Sequence, residues 1–155
     1  MSFKKWVVAA GLCFLITGCA SGRYSGYADN KYTRKPASTT EMGMRYLLGR
    51  GVSQSDTKAF EYFQSAADDG DPFAANELAF LYASGKGTQK DNSKALTYYQ
   101  MAANKGLASA QYNLALFYFY GIGTNPNQEL GMQWLRKSAA HGFEPAKILL
   151  ARKTS

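Results

Sequence analysis

Ala110-Gln111-Tyr112-Asn113-Leu114-Ala115-Leu116-Phe117-Tyr118-Phe119-Tyr120-Gly121-Ile122-Gly123 decides the fold of this chain. Ala110, Leu114, Phe117 and Tyr118 stand at i, i+4, i+7 and i+8, one face of a helix, and the Gly-x-Gly ends it. The pattern recurs 36 residues earlier as Ala74, Leu78, Leu81 and Tyr82 with Gly85 and Gly87. It recurs once more as Tyr46, Gly49 and Gly51, with Ser38 and Met42 in the places of Ala and Leu.

A second helical pattern follows each Gly-x-Gly. Asp91-Asn92-Ser93 offers helix-capping side chains, Ala95, Tyr98, Tyr99 and Ala102 give an apolar stripe, and Gly106 closes the helix. Pro126-Asn127 opens the equivalent helix with Trp134, Leu135 and Ala139, ending at Gly142; Ala59, Tyr62, Phe63 and Ala66 precede Gly70 in the first unit. A unit of this length cannot bury its apolar face alone, so copies must stack. The expected division is 38–73, 74–109 and 110–145, with a capping helix remnant at 146–155. Small Ala59, Ala95 and Gly131 let helices approach, and the aromatics fill the space between them.

The quoted stretch, together with Lys94-Ala95-Leu96-Thr97-Tyr98-Tyr99-Gln100-Met101-Ala102-Ala103 and Gly106, resembles the Sel-1-like repeat. Gly131, where the family usually has Ala, departs from the pattern, as do Ser38 and Met42. The resemblance implies an all-α fold, a right-handed α-α superhelix of three tetratricopeptide-like helix-turn-helix repeats. It also implies a general role in holding protein partners together.

The first 18 residues read as a secretory signal: Lys4 and Lys5, then an apolar run from Trp6 to Ile16, too short for a membrane span. Leu15-Ile16-Thr17-Gly18-Cys19 resembles the lipobox of bacterial lipoproteins, which implies cleavage after Gly18 and lipid on Cys19. Ala20 and Ser21 follow; neither is the Asp that would favour inner-membrane retention, so the outer membrane is the expected destination. Three acyl chains suffice for stable anchoring. Cys13 goes with the signal and Cys19 with the lipid, leaving neither thiol nor disulfide in the mature protein. Residues 19–37 read as the lipidated cysteine and a basic, Gly- and Ser-containing tether, with an r.m.s. span of roughly 20–25 Å.

The chain carries 18 basic and 11 acidic side chains; without Lys4 and Lys5 the net charge is +5. Export argues against nucleic acid as a partner. No chemistry stands out. Gly-x-Gly lacks the preceding strand of a phosphate loop. His141 is the only histidine, and with no free cysteine it cannot form a zinc site of the usual kind. Asp68-Asp69-Gly70-Asp71 lacks the spacing of a calcium loop; it is either a solvated corner or a mark for a cationic partner. Catalytic residues, metals and cofactors other than the covalent lipid are therefore not expected.

In tetratricopeptide-like arrays the first helix of each unit lines the concave face. By that resemblance, the candidate partner-binding residues are Met44, Leu48, Asn76, Phe80, Tyr112, Leu116, Phe119 and Tyr120. Phe119 and Tyr120 stand either at an interface or beneath the terminal helix. The expected function is a non-enzymatic, periplasm-facing outer-membrane lipoprotein that scaffolds a protein partner. Two alternatives remain. One is an immunity lipoprotein neutralising an envelope-targeting secreted effector. The other is a cell-wall or β-lactam-active enzyme, against which the absence of a nucleophile constellation and of cysteine pairs argues.

Overall fold

The computed structural model describes residues 37–154. The signal peptide, the Gly18 cleavage position, Cys19 and nearly all of the tether lie outside the described residues. Within them the chain forms seven helices and no strand: α1 (Thr39–Leu48), α2 (Asp56–Asp68), α3 (Pro72–Ser84), α4 (Asn92–Asn104), α5 (Ala108–Tyr120), α6 (Gln128–Ala140) and α7 (Glu144–Thr154). Each helix packs chiefly on its chain neighbours, giving an all-α repeat superhelix.

Local chemistry sets the helix ends. Ser55, Asp91 and Asn127 cap α2, α4 and α6, each accepting hydrogen bonds from main-chain N–H groups of the first turn. Asp71 caps α3 ahead of Pro72, so this helix begins two residues before the Ala74 stripe. α1, α3 and α5 end on Gly49, Gly85 and Gly121 in the left-handed conformation, each donating its N–H to a carbonyl four residues back.

The second glycine of the two later pairs clasps neighbouring units together. A Cβ at Gly87 would lie 2.2 Å from the carbonyl oxygen of Asp56, and one at Gly123 would lie 2.3 Å from that of Asn92. Each loop thus seats its backbone directly on the start of the second helix of the preceding unit. That close approach, at positive φ, explains why Gly-x-Gly recurs without any phosphate to bind.

Burial separates two layers. Ala74 through Ala83 of α3 are all buried, as expected for the middle helix of an inner layer. α2, α4 and α6 bury one stripe each and keep the opposite face in water. Ala59 and Ala95 are fully buried where helices approach, and Phe63, Leu78, Leu81, Leu114 and Leu135 fill the space between. A second cluster gathers Ala115, Leu116, Phe119, Leu135 and Ala146 beneath α7.

Candidate functional site

The candidate interaction surface lies on the inner helices. Exposure varies widely among the residues expected to line it. Leu48 is 37% exposed, and Met44, Tyr112 and Tyr120 are partly exposed. Asn76, Phe80, Leu116 and Phe119 are buried, so they offer a partner little area in this conformation. The reason is the tight stacking of the inner layer. Positions that resemblance placed on a free concave face are covered by the next unit in the stack.

Asn76 illustrates the covering. Its amide Nδ2 donates to Glu77 Oε1 at 2.9 Å, and its Oδ1 accepts from Asn113 Nδ2 at 3.1 Å. Three polar side chains thus link α3 to α5 through hydrogen bonds inside the array. Glu77 is the buried carboxyl of this group, and burial pushes its pKa up to about 7, with the Asn76 bond offsetting part of the rise. Sequence reasoning missed Glu77. Its signal was a polar pair, Asn76-Glu77, inside an otherwise apolar run from Ala74 to Ala83.

The third unit holds the aromatic residues. Phe119 packs with Leu135, against Gly131, and Lys153 Nζ sits 4.2 Å from its ring centroid. Tyr112 packs against Phe143 at 5.4 Å between ring centroids, and burial raises its phenol pKa, with Tyr120 adding to the rise. Of the two residues left between interface and core, Phe119 is thus in the core and Tyr120 stays partly open.

The outer flank carries a repeating stack. Lys58 lies over Tyr46, which stacks on Tyr62 at 5.5 Å; Lys94 lies over Tyr82, which stacks on Tyr98 at 5.7 Å. In the third unit Trp134 stands in the Tyr98 position, with Lys137 4.2 Å from the ring. In the first two units these contacts bind the two helices together, whereas Lys137 and Trp134 both lie on α6.

The remaining polar candidates are structural. His141 follows α6, and its Nδ1 lies 2.9 Å from Gln111 Oε1, while Gln111 Nε2 donates to the Ala103 carbonyl. Asp71 caps α3 and accepts from Thr40 Oγ1 at 2.5 Å. Lys105 Nζ donates to the Gly70 carbonyl at 2.6 Å, a bond that reaches back across the unit boundary into the acidic corner. Among the described residues no group of three or more His, Cys, Asp or Glu is placed to hold a metal ion. No helix among them is long and apolar enough to cross a membrane.

The Sel1 repeat model matches residues 36–71, 72–107 and 108–143. Its segments start two residues before those read from the glycines. The fold is similar to the crystal structure of a Sel1 repeat protein from Oxalobacter formigenes, at 38% identity and TM-score 0.67, covering 74% of this chain and 86% of that one. It is also similar to c5321, a protective antigen of uropathogenic Escherichia coli strains displaying an SLR fold, at 30% identity and TM-score 0.66. That match covers 67% of this chain but 22% of the antigen. Helicobacter pylori cysteine rich protein B aligns at 24% identity and TM-score 0.64, covering 74% and 86% of the two chains, and bears on the fold alone. No curated protein matches the chain.

Proposed function

This chain belongs to the Sel1 repeat family, and from that premise we propose that it is a non-enzymatic outer-membrane lipoprotein that faces the periplasm and scaffolds a protein partner. Sel1 repeats in general mediate protein–protein binding. The observation that carries the reading is the set of inner-layer side chains that stay accessible after stacking: Leu48 exposed, with Met44, Tyr112 and Tyr120 partly so. Tyr112 and Tyr120 are of the aromatic kind in which interface energy concentrates.

The location rests on Leu15-Ile16-Thr17-Gly18-Cys19. A lipid on Cys19 would hold the repeats within a tether's length of the membrane, which raises the local concentration of a membrane-borne partner. Lipid labelling and fractionation of Cys19→Ala test this half of the proposal. The variant is expected to lose the label, retain its signal and leave the outer-membrane fraction. A label and fractionation unchanged from the parent chain would contradict it.

A further inference from the structure

The Gly-x-Gly loops line one edge of the array. Gly87 seats on the main chain of Asp56 and Thr57, and Gly123 on that of Asn92 and Ser93. The loops of successive units therefore lie side by side, together with the starts of α2 and α4.

That edge is basic over the first two units. Segments 49–58 and 85–94 carry Arg50, Lys58, Lys86, Lys90 and Lys94 against Asp56 and Asp91. All five bases are exposed, whereas both carboxylates are half-buried. Asp91 accepts from the main-chain N–H groups of Ser93 and Lys94, and Asp56 Oδ1 is wholly buried. Lys58 and Lys94 lie 5.0 and 5.2 Å from the ring centroids of Tyr46 and Tyr82, which sets both ammonium groups on one flank, a unit apart. Glu61, an exposed carboxylate, stands one turn further along α2. Segment 121–130 of the third unit has no base, so the patch ends with the second unit.

The kind of cation points to the kind of partner. Four of the five are lysines. Lysine is depleted at protein interfaces, where arginine and aromatic residues are enriched. Near an anionic bilayer, lysine and arginine are attracted alike. The geometry also permits contact with a bilayer. Thr40, in the first turn of α1, donates to Asp71, the cap of α3, so the chain enters at the edge opposite the loops. α1 is about 15 Å long, which is shorter than the roughly 20–25 Å span expected of the tether.

We infer that the loop edge of the first two units docks on anionic phospholipid headgroups and lays the repeats on the membrane surface. The inference rests on the lipoprotein half of the function proposed above and adds an orientation to it. Tyr112, in the first half of α5 and away from the loops, is left clear for a protein partner.

The test reconstitutes the full chain, with its lipid, into phosphatidylcholine vesicles with or without about 30 mol% phosphatidylglycerol, at about 50 mM NaCl. A fluorophore is placed on Gln89→Cys, between Lys86 and Lys90, or on Asn104→Cys at the opposite edge; both positions are exposed. Nitroxide-labelled headgroups serve as the quencher. In the anionic vesicles, quenching at position 89 should exceed that at 104 by at least about threefold. The excess should vanish without phosphatidylglycerol and at about 500 mM NaCl, where surface charges are screened. It should also vanish in Lys86→Glu with Lys90→Glu, and persist in Lys86→Arg with Lys90→Arg. Equal quenching at the two positions in anionic vesicles overturns the inference and leaves the cations to an acidic protein partner. So does an excess that salt and charge reversal leave unchanged. A parent chain that takes the fluorophore at Cys19 and stays out of the vesicles overturns the lipoprotein reading itself, and the inference with it.

Discussion

A Cβ on residue 131 would lie 2.4 Å from Cδ1 and Cε1 of the Phe119 ring, so the glycine and the phenylalanine occupy one space between α5 and α6. One unit earlier the same two positions are Ala83 and Ala95, both buried. A matching exchange occurs in the first unit: Gly43 makes room for Phe63 at 2.8 Å, where the second unit has Ala79 and Tyr99. In both pairs the missing Cβ of a glycine leaves room for a phenylalanine ring on the neighbouring helix.

Gly131→Ala should therefore destabilise the domain. Overpacking costs about 1–3 kcal/mol, and the better helix propensity of alanine returns about 1 kcal/mol. In a Phe119→Ala background the sign should reverse, because the pair then matches Ala83 and Ala95 and only the propensity gain is left. Urea unfolding of the two singles and the double measures the coupling. Additive effects would show that the ring and the glycine do not share the space.

The clasp between units predicts a contrast among glycines. Gly51→Ala places a side chain at positive φ but meets nothing within 4 Å, so it should cost about 1–2 kcal/mol. Gly123→Ala adds collision with the Asn92 main chain, so its cost should exceed about 3 kcal/mol. Similar midpoints for the two variants in chemical unfolding would remove the clasp.

Much of this architecture is legible in the sequence because its causes are local or periodic. Gly49, Gly85 and Gly121 need a left-handed cap, and Asp91 and Asn127 need only their own helix starts. Surface and core are harder to separate on the inner helices. Asn76 and Phe80 lie off the Ala74-Leu78-Leu81 stripe, which marks them as free only if nothing else approaches. The following unit approaches, through Asn113, and a polar residue becomes fully buried. Tyr120 kept its partial exposure where Phe119 did not, a difference set by the missing Cβ of Gly131 on another helix.

Glu77 makes stability depend on pH in a direction opposite to that of a paired surface carboxylate. Folded, its carboxyl keeps the proton up to about pH 7, while the unfolded chain releases it near 4.5. Asn76 and Asn113 border it on the inner layer, and the Tyr99 phenol, itself pushed up by burial and by Glu77, faces it from α4. The contribution is complete below about pH 4.5 and is lost as pH rises to about 7, a change of about 3 kcal/mol. Glu77→Gln removes the titrating group, so the variant should gain on the parent chain between pH 5 and pH 8. Parallel unfolding midpoints across that range would show that Glu77 does not titrate there.

The scaffold role is tested most directly by in-cell photo-crosslinking from Tyr112 and Tyr120, with exposed Gln100 on α4 as the control. A discrete adduct with a protein other than this chain, formed from Tyr112 or Tyr120 and absent from Gln100, is the predicted result. No adduct from either tyrosine, or the same adducts from Gln100, would contradict partner binding through the inner layer.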